Sequence, residues 1–561
     1  MGTVFAEITV IICIAAFFAV ILKLLKQPVI LAYILTGIIV GPLGFINIQS
    51  RDLLQTMGDV GVTFLLFMLG LEMKIHDFKA IGKTVTIVFL IQAIFTFIIT
   101  YFAAIAFGLN NLNAIYVGIA LVFSSTIIVV KFLSDKKNLH SLYGKIAVGV
   151  LLLQDFLAIA VLIFLSSFGS DMGTNPTITS IAVLVKGIIL FGVIGYLSEK
   201  VFPKIVGVLS ESSEILFLVS IAWVLGLAAI ISSSLVGFSV EIGGFLAGLA
   251  LANSIANYQI IAKAKILRDF FIILFFVVLG IKMTFGELGA ILPMLIIFSL
   301  IALLFKPLMV MISMGLMGFR KRTSFLSGVS LGQISEFSLI LVFLGGKLGH
   351  INNNTVSLIT AVSIVAFAFS TYTIGNDNKL YFLFQRYLNI FERRKGKKYD
   401  EIIQSDKSIE NLKDHVVLIG GDQMGESILE TIEKTDGEIV VVDFDPAIVK
   451  RLKNRNVHRL FGDISDNEIK NLAKIHEASL VISTVPDVED NLLLLRELKF
   501  NKSRATIIVT ALDVADAKVL YKEKADYVIL PHLAGGREVA KILEKGLGGF
   551  NKVKKKDQEY L

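Results

Sequence analysis

The sequence predicts a polytopic α-helical membrane domain of about thirteen spans built on an inverted repeat, followed by a soluble α/β, Rossmann-like domain. Three observations carry this. Of 561 residues 55% are hydrophobic, and the mean hydropathy of +0.77 lies far above that of a soluble protein. Up to Gly375 the apolar residues fall into runs long enough to cross a bilayer. From His415 short β-branched runs alternate with helical stretches, as in a parallel sheet covered by helices.

The apolar runs lie at about 4–22, 29–48, 57–73, 84–107, 114–133, 146–168, 178–197, 214–232, 236–253, 267–283, 290–316, 323–345 and 356–375, the ninth and tenth being short. No charged region precedes the first run, so it is expected to be a retained helix and not a cleaved signal peptide. Basic residues gather in alternate connections: Lys23 and Lys26; Lys74, Lys79 and Lys83; Lys131, Lys136, Lys137 and Lys145; Lys200 and Lys204; Lys263, Lys265 and Arg268; Arg320, Lys321 and Arg322. The other connections hold only Arg51, Lys282 and Lys347. The positive-inside rule therefore places the N-terminus outside, and an odd number of spans leaves the C-terminal domain in the cytoplasm of a cell-membrane protein. The net charge of +7 reads as topology, and no nucleic-acid partner is expected. One cysteine, Cys13, excludes intramolecular disulfides.

Gly61–Met73 (GVTFLLFMLGLEM) is similar to Phe271–Met283 (FIILFFVVLGIKM), aligning Gly70 with Gly280, and Gly37 and Gly41 of the second run have counterparts in Gly244 and Gly248 of the ninth. Corresponding runs are seven apart. An odd separation means that the copies cross the bilayer in opposite directions, the arrangement of secondary transporters whose site lies at the midplane on interrupted helices.

The sixth run carries Gln154 and Asp155 near its middle. A carboxylate in hydrocarbon costs roughly 2.5–3.5 kcal/mol even on lenient scales, and removal from water disfavours its charged form. Asp155 is therefore the candidate to trade a proton for a cation; an aspartate neutralised by a neighbouring helix is the structural alternative. If the fifth and twelfth runs are the interrupted pair, Ser124, Ser125 and Thr126 on one and Gly332, Gln333, Ser335 and Glu336 on the other lie at the depth of Asp155. Their hydroxyls and unwound carbonyls are suited to replacing a cation's hydration shell, although small polar residues also serve close helix packing. Glu336 reads equally as a functional acid or a structural hydrogen-bond partner, whereas Glu241 and Lys282 are expected to snorkel to an interface, with pairing to an acid the alternative for Lys282.

Four divisions follow: a transmembrane exchanger domain (1–376), a basic juxtamembrane linker (377–414), a nucleotide-binding domain (415–541) and a basic tail (542–561). The linker reads as a helix lying on anionic lipid or as a solvated connection. In the α/β domain strands are expected at 416–419, 438–443, 479–484, 506–510 and 527–530, with a helix from Glu426. The turn Gly420, Gly421, Asp422, Gln423, Met424, Gly425 fits G-x-G-x-x-G except at Asp422, which places an anionic side chain where a pyrophosphate would approach. Asp443 ends the second strand where an acid can bond ribose hydroxyls, and Asp463 closes the candidate pocket.

Ile266–Met283 (ILRDFFIILFFVVLGIKM), Gln27–Pro42 (QPVILAYILTGIIVGP), Gly237–Gly248 (GFSVEIGGFLAG), Leu153–Asp155 (LQD) and Gly332–Glu336 (GQISE) resemble the Kef-type monovalent cation:proton antiporters. The domain from His415 resembles the RCK N-terminal (TrkA-N) domain through Val441–Pro446 (VVDFDP), Gly462–Asp463 (GD) and Val485–Asp487 (VPD), with Asp422 for a glycine and Thr510 where arginine is frequent. The resemblance implies an NhaA-like antiporter fold, a homodimer, an ion site centred on Asp155 that opens alternately to each side, K⁺ or Na⁺ as substrate, and regulation by an adenine nucleotide, AMP or NAD(H). It implies a transporter and not an enzyme. An RCK-gated potassium channel would need a filter loop such as TVGYG, which the sequence lacks, and a membrane-tethered NAD oxidoreductase would need a second substrate domain. Gln154 stands where electrogenic relatives carry a second acid, so exchange is expected to be electroneutral.

Overall fold

The computed structural model describes residues 2–44, 50–72, 82–166, 189–391, 409 and 412–544, apart from positions 137, 140, 191, 203–205, 207–211, 234–235, 237, 255, 285–287, 320, 436, 444–445, 463, 465–466 and 502. They form two compact units, one helical and one α/β, each taken by itself. Most of the seventh apolar run, half of the basic linker and the tail from 545 lie outside the described residues.

In chain order the helices of the first unit are α1 (Gly2–Leu24), α2 (Val29–Val40), α3 (Arg51–Glu72), α4 (Lys83–Ala106), α5 (Asn111–Val122), α6 (Thr126–Asp135), α7 (Leu142–Ser166), α8 (Ser213–Ile231), α9 (Val240–Leu251), α10 (Asn257–Ile281), α11 (Leu288–Leu300), α12 (Lys306–Leu316), α13 (Lys321–Leu331), α14 (Glu336–Lys347), α15 (Asn353–Gly375) and α16 (Asp377–Phe384). Among the described residues nine helical stretches have the length and apolarity to span a bilayer, and α2 and α9 are shorter apolar helices. The tenth run, expected to be short, is the 25-residue α10, whose first half carries Lys263, Lys265, Arg268 and Asp269. Charge concealed that half from an apolar count.

The helices pack in two groups: α1, α2, α3, α8, α9 and α10 form a panel, while α4, α5 and α11–α15 form a bundle. Glycine sets the panel's closeness. A Cβ on Gly37 of α2 would stand 2.0 Å from the Val277 carbonyl oxygen of α10, and one on Gly280 would stand 2.3 Å from that of Ile34. The same crossing recurs between α9 and α3, where a Cβ on Gly248 would meet Phe67 O at 2.0 Å and one on Gly70 would meet Phe245 O at 2.3 Å. Since α2 corresponds to α9 and α3 to α10 in the internal repeat, one small-residue crossing is used twice, as membrane helices lacking a hydrophobic drive between them require.

The bundle contains two interruptions. The chain leaves helical geometry after α5 and after α13, then restarts at Ser125 and Ser335, both extended, with hydroxyls that accept from the backbone N–H of Ile128 and Phe337. Serine offers the backbone a local partner in place of a helical carbonyl, which makes a break followed by a cap favourable at these positions. A third irregularity is a π turn at Ile301–Phe305, just before Pro307, whose ring and missing N–H disfavour a regular helix interior.

In the second unit six parallel strands stand in the order β3-β2-β1-β4-β5-β6: β1 (Val416–Ile419), β2 (Ile439–Asp443), β3 (His458–Phe461), β4 (Leu480–Ser483), β5 (Thr506–Thr510) and β6 (Tyr527–Ile529). Side chains alternate between two cores, Val417 and Ile419 on one face of the sheet and Leu418 and Val441 on the other. The sequence expectation lacks β3, which is half-buried at His458 and Arg459 and shows no apolar run. The helix after the first turn, α17 (Gln423–Ile432), begins three residues before the expected Glu426.

Candidate ion-exchange site and nucleotide turn

Asp155 lies in the unbroken helix α7, 7% exposed, and its Oδ2 accepts from Thr126 Oγ1 at 2.8 Å, in the first turn of α6. The preceding residue holds the other side of the same break. Gln154 Oε1 accepts from the backbone N–H of Ser124 at 2.8 Å, while its Nε2 donates to Gln92 Oε1 at 2.7 Å, and Gln92 Nε2 donates to the Val122 carbonyl at 3.1 Å. Neighbouring side chains on α7 thus engage both strands of one interruption.

The two interruptions are tied to each other. Ser124 Oγ donates to the Leu331 carbonyl at 2.9 Å and Gln333 Nε2 to the Ser125 carbonyl at 3.1 Å. The Glu336 carboxyl lies beside Ser125, and its Oε2 is buried and has no hydrogen-bond partner. Ser335 caps α14. The structure therefore brings Ser124, Ser125, Thr126, Gln154, Asp155, Ser335 and Glu336 into one crossing.

Lys306 was not singled out by sequence, yet it completes this crossing. Fully buried, it donates from Nζ to the Phe123 and Gln333 carbonyls, each at 2.7 Å, one from each break. The arrangement follows the helix dipoles. The ammonium faces the carbonyl ends of the first half-helices, and the carboxylates of Asp155 and Glu336 lie by the N-terminal turns of the second. A lone lysine within the run 290–316 was the available signal; its partners are backbone atoms, to which a sequence gives no label. Glu241 corrects an expectation, since it does not reach an interface but is buried, 3% exposed.

In the α/β unit Gly420 has φ +91°, a left-handed conformation that favours glycine. A Cβ on Gly425 would stand 1.9 Å from the Gly420 carbonyl, so only glycine lets α17 approach the turn. Asp443 Oδ2 accepts from the Gly421 N–H at 2.7 Å, and Arg451 Nη2 donates to the Gly421 carbonyl at 3.0 Å. Asp422 caps α17 by accepting from the Gln423 N–H at 2.8 Å, and so occupies the helix N-terminus where a phosphate would bind. Asp422 and Gln423 are exposed and Met424 is half-buried; Asp463 lies outside the described residues.

Residues 10–375 match the family described as sodium/hydrogen exchanger, transmembrane, and residues 416–531 match the TrkA-N domain. YbaL of Escherichia coli (strain K12) is 25% identical over 532 residues, 93% of each chain. The iron transporter MagA of Paramagnetospirillum magneticum is 28% identical over 370 residues, 64% of this chain and 82% of its own. K(+) efflux antiporter 5 of Arabidopsis thaliana is 29% identical over 368 residues, 64% of each chain. The solved sodium proton antiporter MjNhaP1 from Methanocaldococcus jannaschii shares the fold, with a TM-score of 0.50 at 17% identity over 67% of this chain and 97% of that one. The chain belongs to the sodium/hydrogen exchanger family of membrane cation/proton antiporters, and it carries a C-terminal TrkA-N domain.

Proposed function

We propose that the chain exchanges one monovalent cation, K⁺ in preference to Na⁺, for one proton, with Asp155 as the shared carrier. The observation that carries this reading is the bond from Thr126 to Asp155 at the crossing of two interrupted helices. A proton on Asp155 is replaced by a cation that takes its ligands from the Asp155 carboxylate, the Thr126 and Ser125 hydroxyls and the free ends of the breaks. Because Gln154 is neutral and engaged at both ends of its amide, one carboxylate serves two ions in turn, and the cycle moves no net charge if Glu336 keeps its proton. The K⁺ preference is supported by the Kef-type motifs and by a relative named for K⁺ efflux.

The same proposal places the N-terminus outside the cell membrane and the TrkA-N domain in the cytoplasm of a homodimer, where an adenine nucleotide at Gly420–Gly425 and Asp443 regulates exchange. Asp422 favours AMP, or a ligand displaced from the turn, over the pyrophosphate of NAD(H). The test is exchange by the full chain in proteoliposomes containing a pH dye, with K⁺ or Na⁺ added outside. Cation-driven proton release that is insensitive to an imposed potential supports the reading. Potential-driven K⁺ flux without proton movement would point to a channel, and no flux of either kind would sink it.

A further inference from the structure

Lys347, the last residue of α14, reaches from the bundle into the panel. Its Nζ lies 2.7 Å from Asp59 Oδ2 on α3 and 3.7 Å from Glu241 Oε1 in the first turn of α9. The remaining oxygens, Asp59 Oδ1 and Glu241 Oε2, are buried and have no hydrogen-bond partner. Lys282, at the end of α10, stands 4.6 Å over the Phe343 ring, one turn before Lys347, and within electrostatic reach of Asp59 and Lys347. Two acids and two lysines balance.

The position of this quartet matters as much as its charge. α14 starts at Glu336 in the ion site and ends at Lys347, about 16 Å further along one rigid rod. At the same end, the N–H of Thr284, just beyond α10, donates to Ser357 Oγ of α15 at 2.9 Å, so a further bond joins panel and bundle there. The opposite end of α3 is Glu72, about 20 Å from Asp59, and is exposed.

We propose that Lys347 plugs a gate on the outer face, and that its ammonium takes, between Asp59 and Glu241, the place that the transported cation takes when the gate opens. The inference rests on alternating access about Asp155. For the site to face outward, α14 must move against α3 and α9, and that motion withdraws Lys347 from both acids. Asp59, Glu241 and Lys282 then sum to one negative charge. A single monovalent cation restores neutrality, and the two orphan oxygens are ready to ligate it. A charged plug therefore links opening to cation entry, because an empty open gate leaves an uncompensated, half-buried charge. A purely structural staple would stabilise the fold without controlling access from one side.

The test reads access, not exchange. In full-length protein carrying Cys13→Ser, Val62→Cys places a thiol one turn deeper than Asp59 on α3, at a position 1% exposed. A membrane-impermeant maleimide is applied to the outer face of right-side-out vesicles. Lys347→Ala should raise the labelling rate about tenfold or more, and the swap Asp59→Lys with Lys347→Asp should slow it again. Should the alanine variant not insert, Lys347→Gln keeps a hydrogen bond without the charge and should also label fast. An unchanged rate in the Lys347 variants, or a swap as fast as the single variant, would overturn the gate. Either result leaves the assignment of Asp155 to be judged by its own exchange assay.

Discussion

The Thr126 hydroxyl donates to Asp155 across 2.8 Å, joining the first turn of a half-helix to the carboxylate of the unbroken helix beside it. A hydrogen bond to a charged group contributes about 1.5–3 kcal/mol. Thr126→Val should therefore raise the half-saturating cation concentration by roughly tenfold or more, while Thr126→Ser should stay near the parent. Exchange titrated against external K⁺ checks both, and an unchanged KM in the valine variant would remove Thr126 from the site.

Lys306 holds the carbonyls of Phe123 and Gln333 together in a fully buried place. Lys306→Ala leaves two carbonyls without a donor, at about 1–3 kcal/mol each, so the thermal midpoint of the solubilised protein should fall markedly. Lys306→Met, similar in length but uncharged, should fall nearly as far. A midpoint equal to the parent's in both variants would show that the crossing does not depend on this ammonium.

The glycine crossing of the panel makes a steric prediction. Gly37→Val would set a Cβ 2.0 Å from the Val277 carbonyl, whereas Gly226→Ala on α8 meets no atom within 4 Å. Overpacking costs typically about 1–3 kcal/mol, and a backbone clash is at the upper end because carbonyls cannot rotate away. Thermal unfolding of the two variants side by side should show a loss for the first and none for the second.

How far the sequence reaches is clearest at these residues. The interruptions were legible because Ser124–Thr126 and Gly332–Glu336 are polar in apolar runs, and the repeat was legible because glycines keep their spacing. Their pairing with Lys306 and Gln92 was not. These contacts join residues 183 and 30 positions apart, and the acceptors are backbone carbonyls. The ion pair of Lys347 with Asp59 spans 288 positions, and a lone lysine at the end of an apolar run looks like any other. In the α/β unit the strands β1, β2, β4, β5 and β6 announced themselves by β-branched residues, and β3, which carries His458 and Arg459, did not.

Asp422 sits at the N-terminus of α17 and accepts from Gln423, so it would compete with the phosphate of the proposed nucleotide for that end of the helix. Asp422→Gly should strengthen binding of NAD(H) relative to AMP about fivefold, the worth of removing roughly 1 kcal/mol of charge repulsion. Asp443→Ala should abolish binding of both, because it removes the acceptor of the Gly421 N–H together with the candidate ribose ligand. Calorimetry of the full-length protein with each nucleotide reads both effects. Equal NAD(H) to AMP ratios in the Asp422 variant and the parent would place the ligand elsewhere.

The central claim is that one carboxylate carries both ions, and it is tested most directly by Asp155→Asn in proteoliposomes loaded with a pH dye. The asparagine still accepts from Thr126 Oγ1 but can neither bind a transported proton nor neutralise a cation. The expected result is a folded protein, with the parent's elution profile and thermal midpoint, in which addition of external K⁺ or Na⁺ no longer changes the internal pH. Cation-driven proton release at the parent's rate in that variant would contradict the account.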